Sequence, residues 1–373
     1  MSLITQHQME SAKKLLFISP LALGDFLYLK TFLIGLKQQY PALEIDVCID
    51  DIRNDQQAWR LSRSKIMQQW ITSDPAFTRF YGCCGSKAEQ QQQIDKAVEQ
   101  NYDLVICHSR SKSAQFSAIS RKMAPNAFIV SSVGDSKFAG LLDWWLFRHS
   151  NKLFQLDPAA MPAEHHITDR FYQVMNSIAG LTMAKSEFMP DLSVPAEIEP
   201  LTTHWISKHF SDPERQGKLL FLNHLSTNTK KDWQLEQLLA LIEKIAEEDK
   251  RQRFVINVTP EHYDAVYQRA QQFVAETQLQ VAVFTVNKNF FELPSLIAQA
   301  DFVITVDTAI LHFAFAAKRP LLALMRQKKP YWAPPESPTS HVMYAVEGKG
   351  HISDIPVERV FQQYQKMNQM VGS

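Results

Sequence analysis

The chain lacks the features that mark several protein classes. Its four cysteines in 373 residues, Cys48, Cys83, Cys84 and Cys107, show no C-x-x-C spacing. This excludes a disulfide framework, gives no structural-zinc signature, and suits a reducing cytoplasm. Lys plus Arg and Asp plus Glu both number 39, so no charge surplus exists; a nucleic-acid binder ordinarily carries a basic one, and no such partner is expected. G-x-G-x-x-G is missing, which weighs against a nicotinamide-dependent oxidoreductase. Asp-x-Asp, which often marks a metal-bridged nucleotide diphosphate, is missing too, so metal-independent chemistry is expected. No apolar run is long enough to span a bilayer: Leu15 to Leu36 is broken by Pro20, Gly24, Asp25 and Lys30. Each charge at hydrocarbon depth costs roughly 2.5–3.5 kcal/mol on insertion scales, so this stretch reads as a buried strand, a loop and a helix, in a soluble, unexported protein.

What is present is a globular composition, 45% hydrophobic and 21% charged, in a chain long enough for two cores. Residues 1–12 are polar and expected to be loosely ordered. From Leu15 the pattern alternates short apolar runs with helix-length segments, the signature of βαβ units. Pro190, Pro195 and Pro200 mark a linker, after which the alternation restarts with runs near 218–222, 253–258, 281–285, 302–306 and 321–324. The reading is α/β, two doubly wound domains at 1–190 and 191–355. Val357, Val360, Phe361, Tyr364 and Met367 make 356–373 an amphipathic closing helix. Ligands of such sheets sit at the carboxyl ends of the strands.

Three segments could carry chemistry. In Ser19-Pro-Leu-Ala-Leu-Gly-Asp25, the acid after the first strand is either a general base or an ordinary helix cap. In Phe302-Val-Ile-Thr-Val-Asp307-Thr308-Ala309-Ile310-Leu311-His312, a strand runs into the start of a helix. Such an end binds phosphate, or is simply capped by Asp307 or Thr308. In Asn223-His-Leu-Ser226-Thr227-Asn-Thr-Lys230-Lys231-Asp-Trp233, hydroxyls and ammonium groups follow a strand. They can neutralise a leaving diphosphate, or form a solvated loop. The adjacent His165 and His166 have no third ligand at a metal-site spacing.

Together and in this order, Leu-Gly-Asp25, Ser226-Thr227 with Lys231-x-Trp233, and Val-Asp307-Thr308 with His312 resemble the heptosyltransferases of glycosyltransferase family nine. The resemblance implies a GT-B fold, two Rossmann-like domains facing across a cleft with the C-terminal helix closing back. It implies inverting transfer of heptose from ADP-heptose to a lipid-linked inner-core acceptor of lipopolysaccharide. By position, Asp25 matches the catalytic base and Lys231, Ser226 and Thr227 the phosphate side. Asp307, Thr308, Ala309 and His312 match the donor segment, and Glu261 the acid that holds the ribose. Lys112-Ser113 and His166 to Arg170 match first-domain motifs. Ala309 stands where family members commonly carry Gly, and Cys107-His108-Ser109-Arg110 where an Asp-x-Gln-Gly run is usual.

On the acceptor side, Arg60, Arg63 and Lys65 form one basic patch. Arg110, Lys112, Arg121, Lys122, Lys137, Arg148 and Lys152 form another, against only Asp135 and Asp143. The segment Leu141-Leu-Asp-Trp144-Trp145-Leu-Phe147 within it is either a core helix or an element for a headgroup region. No cofactor is expected beyond the donor itself, and the expected place of work is the cytoplasm, with the cytoplasmic face of the inner membrane as the place where a lipid-linked acceptor would be met. The alternatives are transfer of another nucleotide-activated sugar to a surface glycan, or a catalytically silent nucleotide-binding relative.

Overall fold

The computed structural model describes residues 2–134, 140–157, 159, 161–327 and 330–371; Asp135 and Lys137 of the basic stretch lie outside them. The chain divides into two compact units, Met1–Pro190 and Asp191–Ser373.

The first unit runs α1 (Gln6–Ser11), β1 (Lys14–Ile18), α2 (Leu23–Gln39), β2 (Glu44–Cys48), α3 (Ala58–Thr72), β3 (Phe80–Tyr81) and α4 (Lys87–Val98). It continues with β4 (Leu104–Cys107), α5 (Ser113–Met123), β5 (Phe128–Val133), α6 (Asp143–Leu146), β6 (Lys152–Gln155) and α7 (Ile167–Ala179). Its strands form one sheet in the order β3-β2-β1-β4-β5-β6, all parallel. Leu15, Leu16, Phe17 and Ile18 are all fully buried, as expected of a parallel strand with helices over both faces. Helix α2 begins at Leu23, so Asp25 lies inside its first turn and accepts the Ala22 N–H at 3.3 Å.

The N-terminal residues are not loose. Thr5 and Gln8 form a reciprocal capping box at the start of α1, Ile4 and Met9 are buried, and the Leu3 and Ile4 amides donate to Ser177 and Ile178 carbonyls of α7 at 2.9 and 2.8 Å. Two apolar side chains in a polar stretch suffice to dock it.

The loop after β2 is built around Arg60, which was expected on an acceptor surface and is instead 0% exposed. Its guanidinium meets Asp51 at 2.5 Å, Asp50 at 3.4 Å and Asp55 at 3.3 Å, and donates to the Cys84 carbonyl at 3.0 Å. These partners hold Ile52 and Asn54 in the left-handed region, at φ 56° and 55°, a conformation a β-branched residue adopts only when its surroundings impose it.

The second unit runs α8 (Glu199–His209), β7 (Leu219–Asn223), α9 (Leu235–Glu248), β8 (Arg253–Asn257), α10 (Tyr263–Thr277), β9 (Gln280–Phe284) and α11 (Glu292–Gln299). It ends with β10 (Phe302–Val306), α12 (Ala309–Ala316), β11 (Leu321–Arg326), β12 (Ser340–Ala345) and α13 (Val357–Val371). The sheet order is β12-β11-β10-β7-β8-β9, again parallel throughout. The amphipathic tail forms α13, and its apolar face belongs to this unit's own core. Val360, Tyr364 and Met367 are buried there, Tyr364 stands edge-on to Phe302 at 5.0 Å, and Lys218 Nζ donates to Asn368 at 2.6 Å.

Two predictions follow from burial in the first unit. Arg60→Leu strands three carboxylates, and breaking a buried ion pair from one side costs roughly 3–5 kcal/mol; urea denaturation is expected to show a loss of that size. His108 is driven down to about 4 by burial and by Arg110, and His166 to about 4 by burial. Between that value and an unfolded histidine's ~6.5, the unfolded chain binds protons that the native chain refuses, so stability present above ~6.5 is lost as pH falls toward ~4. The urea midpoint should therefore drop between neutral pH and pH ~4.5, and a flat profile would contradict the two neutral buried rings.

Candidate active site

In the second unit the winding of the sheet reverses between β7 and β10, which lie side by side with Asn223 opposite Thr305. Loops leaving such a pair diverge, and the gap outside the carboxyl ends is the usual ligand position of an open α/β sheet. The Ser226–Lys231 loop leaves β7 there and Asp307-Thr308 leaves β10. Lys231 Nζ bridges them, 2.7 Å from Asp307, with the two side chains 35% and 23% exposed. Asp307 thus holds an ammonium group at the gap.

Thr308 caps α12 from an extended backbone, its Oγ1 accepting the Ile310 N–H at 3.3 Å. The same oxygen accepts from Asn223 Nδ2 at 3.5 Å, leaving its O–H as the group to offer outward. Ala309 opens the helix, half-buried. Together with Lys231 this end of α12 suits an anion.

Beneath it lies a polar network that sequence reading missed. Asn257 Nδ2 donates to Asn223 Oδ1 at 3.0 Å, and Asn223 Nδ2 donates to Thr305 Oγ1 at 3.1 Å and to the Leu225 carbonyl at 3.2 Å. Asn223, Asn257 and Thr305 are buried, so each unmade bond here would cost about 1–3 kcal/mol and the network fixes Thr308 and both loop bases firmly. The available signal was an asparagine closing each of two neighbouring apolar strands, β7 and β8. Tyr344 on β12 also belongs to this rim; burial, Glu336 and Asp307 raise its pKa above the usual phenol value.

The β7 loop is shaped by its own polar groups. Ser226 Oγ donates to the Asn228 carbonyl at 2.8 Å and accepts the Asn228 N–H at 3.0 Å, while Asp232 accepts the Ser226 N–H at 2.7 Å. Ser226 therefore sets the loop's turn, and Thr227 is exposed on it. At the base, the Trp233 N–H donates to the His224 carbonyl at 2.9 Å and its indole to the Ile355 carbonyl at 3.0 Å. His224, its pKa lowered by burial, stays neutral and pairs its Nδ1 with the Trp233 carbonyl at 3.0 Å. Glu261 sits exposed in a single turn, Pro260–His262, beyond the end of β8. His312 is buried within α12, its ring 6.2 Å from that of Trp332. Ser226, Thr227, Lys231, Glu261, Asp307, Thr308 and Ala309 thus all follow the carboxyl ends of three neighbouring strands, while His312 lies further along the helix.

In the first unit the reversal lies between β1 and β4. Ser19 Oγ donates to the His108 carbonyl at 2.6 Å and the His108 N–H to the Ile18 carbonyl at 2.9 Å, tying the two loops together. Asp25 follows the carboxyl end of β1, half-buried. Lys112 follows β4, exposed and left-handed at φ 54° at the start of α5, and Ser113 Oγ accepts the Gly134 N–H at 3.4 Å. A Cβ at Gly134 would stand 2.1 Å from the Arg110 carbonyl oxygen, so this crossing of loops requires glycine.

Two acceptor-side expectations need correction. Arg60 is fully enclosed and committed to its carboxylates. Arg121 lies at the far end of α5, donating to the Pro125, Ala127 and His149 carbonyls and to Asn151. A helix of eleven residues spans about 16 Å, so Arg121 clamps the amino-end side of the sheet, opposite Lys112 and Asp25. Arg63 is partly exposed, 3.5 Å from Asp51 and with its guanidinium 5.3 Å from the Trp59 ring. Among the described residues, Asp50, Asp51 and Cys83 could together offer ligand atoms to a metal, but Arg60 already pairs with both acids and Arg53 with Asp51. His165 pairs with the Pro162 carbonyl and Arg170, and His166 with Thr168.

The model of glycosyltransferase family 9 (heptosyltransferase) matches residues 93–354. No curated protein sequence matches the chain. Among solved structures, a family 9 glycosyl transferase from Veillonella parvula superposes with a TM-score of 0.73 at 16% identity, covering 98% of this chain and 99% of its own. E. coli ADP-heptose lipopolysaccharide heptosyltransferase II gives 0.69 at 18%, covering 96% and 98%. E. coli heptosyltransferase WaaC, solved with ADP-2-deoxy-2-fluoro heptose, gives 0.64 at 18%, covering 95% and 99%. Two Rossmann-like sheets wound in the same order, likeness to these structures over nearly the whole chain, and a family model spanning more than half of it agree: the chain has the GT-B fold and belongs to glycosyltransferase family 9, the heptosyltransferases.

Proposed function

We propose that this glycosyltransferase moves a heptose from ADP-heptose to a lipid-linked inner-core acceptor of lipopolysaccharide or lipooligosaccharide, inverting the anomeric centre and needing no metal ion, at the cytoplasmic face of the inner membrane. The observation that carries the reading is the Lys231–Asp307 pair at the β7/β10 reversal, beside the Thr308-capped start of α12. That arrangement offers a cation, a hydroxyl proton and helix-end amides to one anionic group, as a departing nucleotide diphosphate requires.

In the proposed reaction Asp25 accepts the proton of the acceptor hydroxyl as that oxygen bonds to the anomeric carbon. The bond from this carbon to the diphosphate oxygen breaks with its electron pair, and the ADP produced is stabilised by Lys231, the Thr308 hydroxyl and the first amides of α12. Attack opposite the departing group inverts the centre. Glu261 is assigned to the ribose and Lys112 with Ser113 to the acceptor. Asp307 orients Lys231. Ala309 places a methyl group at the donor helix end, which favours keeping a second nucleotide sugar in view; product analysis with ADP-heptose and with nucleotide-activated hexoses separates the two.

Asp25→Asn removes the base and not the donor contacts. Positioned proton transfer contributes about 10²–10⁴-fold, so kcat should fall by that factor while the Kd for ADP, measured calorimetrically, stays unchanged. Unaltered turnover would remove Asp25 from the chemistry. Lys231→Ala deletes a charge-assisted contact and should weaken ADP binding by about tenfold or more, besides slowing turnover; equal ADP affinity in variant and wild type would displace Lys231 from the donor site.

A further inference from the structure

At the edge of the first sheet, the residues before the outermost strand β6 present large apolar side chains to water. Leu141 is 76% exposed, Trp144 75%, Trp145 52% and Leu142 42%. Phe147 is buried and Leu146 half-buried, so this segment gives two apolar side chains wholly or partly to the core and leaves four at the surface. Isolated exposed apolar residues are ordinary, but four within one turn form a patch that needs a partner.

The surrounding charge says which. Arg148 is exposed and lays its guanidinium 5.0 Å from the Trp145 ring while donating to the Trp145 carbonyl at 3.1 Å. Lys152 projects from the exposed edge strand. Tryptophan and leucine rimmed by Arg and Lys match the boundary between headgroups and acyl chains of an anionic membrane. There indole sits at the interface, leucine enters the hydrocarbon and the cations meet lipid phosphate. A second copy of the chain fits less well: in a two-fold contact through this patch, Arg148 and Lys152 would lie close to their own copies.

We propose that the Leu141–Trp145 turn, with Arg148 and Lys152, is an interfacial anchor that docks the first unit on an anionic bilayer. The anchor goes beyond the transferase reading: it uses none of the residues given a role in the proposed reaction, and its failure would leave the donor and base assignments standing.

The test is co-sedimentation of the full chain with vesicles of mixed phosphatidylcholine and phosphatidylglycerol, and with phosphatidylcholine alone. The wild type should bind the anionic vesicles preferentially, less so as salt is raised. Trp144→Ser with Trp145→Ser should lower the partition coefficient by about tenfold or more. Lys152→Glu, at an exposed position that cannot unfold the chain through its core, should weaken binding to anionic vesicles only. Calorimetric ADP binding should be unchanged in both variants. Absence of wild-type binding to either vesicle, or equal partition of wild type and the Trp variant, would overturn the proposal. So would sedimentation showing a wild-type dimer that the Trp variant converts to monomer, which would assign the patch to a second copy.

Discussion

The reversal of winding in a parallel sheet is the constraint on which this molecule depends. A crossover connection between parallel strands is right-handed, so successive helices cover one face of the sheet until the strand order turns back and then cover the other. At the turning point, two neighbouring strands send their loops to opposite sides and no helix closes the space between them. Here this happens twice, at β1/β4 and β7/β10. Everything assigned to the donor apart from His312 and Glu261 lies on the two loops of the second reversal or, for Ala309, at the helix start that one of them enters, and Glu261 follows the next strand along.

Such a gap must be polar at its floor, because strand ends leave carbonyls and amides without ladder partners. In the second unit the floor is the chain from Asn257 through Asn223 to Thr305 and Thr308. One primary amide serves several acceptors and so fixes the ends of three strands in a common arrangement. In the first unit the corresponding ties are the Ser19 hydroxyl and the His108 carbonyl, with His108 Nδ1 paired to Ser132 at 2.9 Å. The chemistry differs, but in each unit buried polar bonds join the loops on either side of the reversal, so that side chains above them are held by a rigid base.

This also explains what was legible beforehand. Strands buried on both faces are largely apolar runs, so β1, β4, β7, β8 and β10 stand out in the sequence, and the loops that follow them can be named with their residues. Edge and short elements do not. β6 reads Lys-Leu-Phe-Gln and is largely exposed, β3 has two residues, and α4 buries only Ile94 and Ala97. The N-terminal helix is held by Ile4 and Met9, too few to leave a periodicity. Charge patches were the least readable. Arg60 and Arg63 stand three residues apart, yet one is enclosed by three acids and the other reaches the surface, and sequence distance carries no information about which carboxylates fold over which guanidinium. Arg121 was placed with Lys112 by charge alone; the length of α5 separates them.

The Lys231–Asp307 pair lets a carboxylate stand at a helix end proposed to receive an anion. Alone at the start of α12, Asp307 would occupy the positive helix end and repel an anionic ligand. Paired with Lys231 at 2.7 Å and partly exposed to water, it is electrically quiet. A pair of this exposure contributes about 0–1 kcal/mol, so a diphosphate that draws the ammonium toward itself gives up little in doing so. In the proposed reaction the approach of the ligand would turn a neutral pair into a cation facing phosphate and a carboxylate able to accept a hydroxyl, two groups that a sugar diphosphate could use at once. A lysine without that acid would be a mobile side chain on an exposed loop, and its ordering would be charged against binding each time.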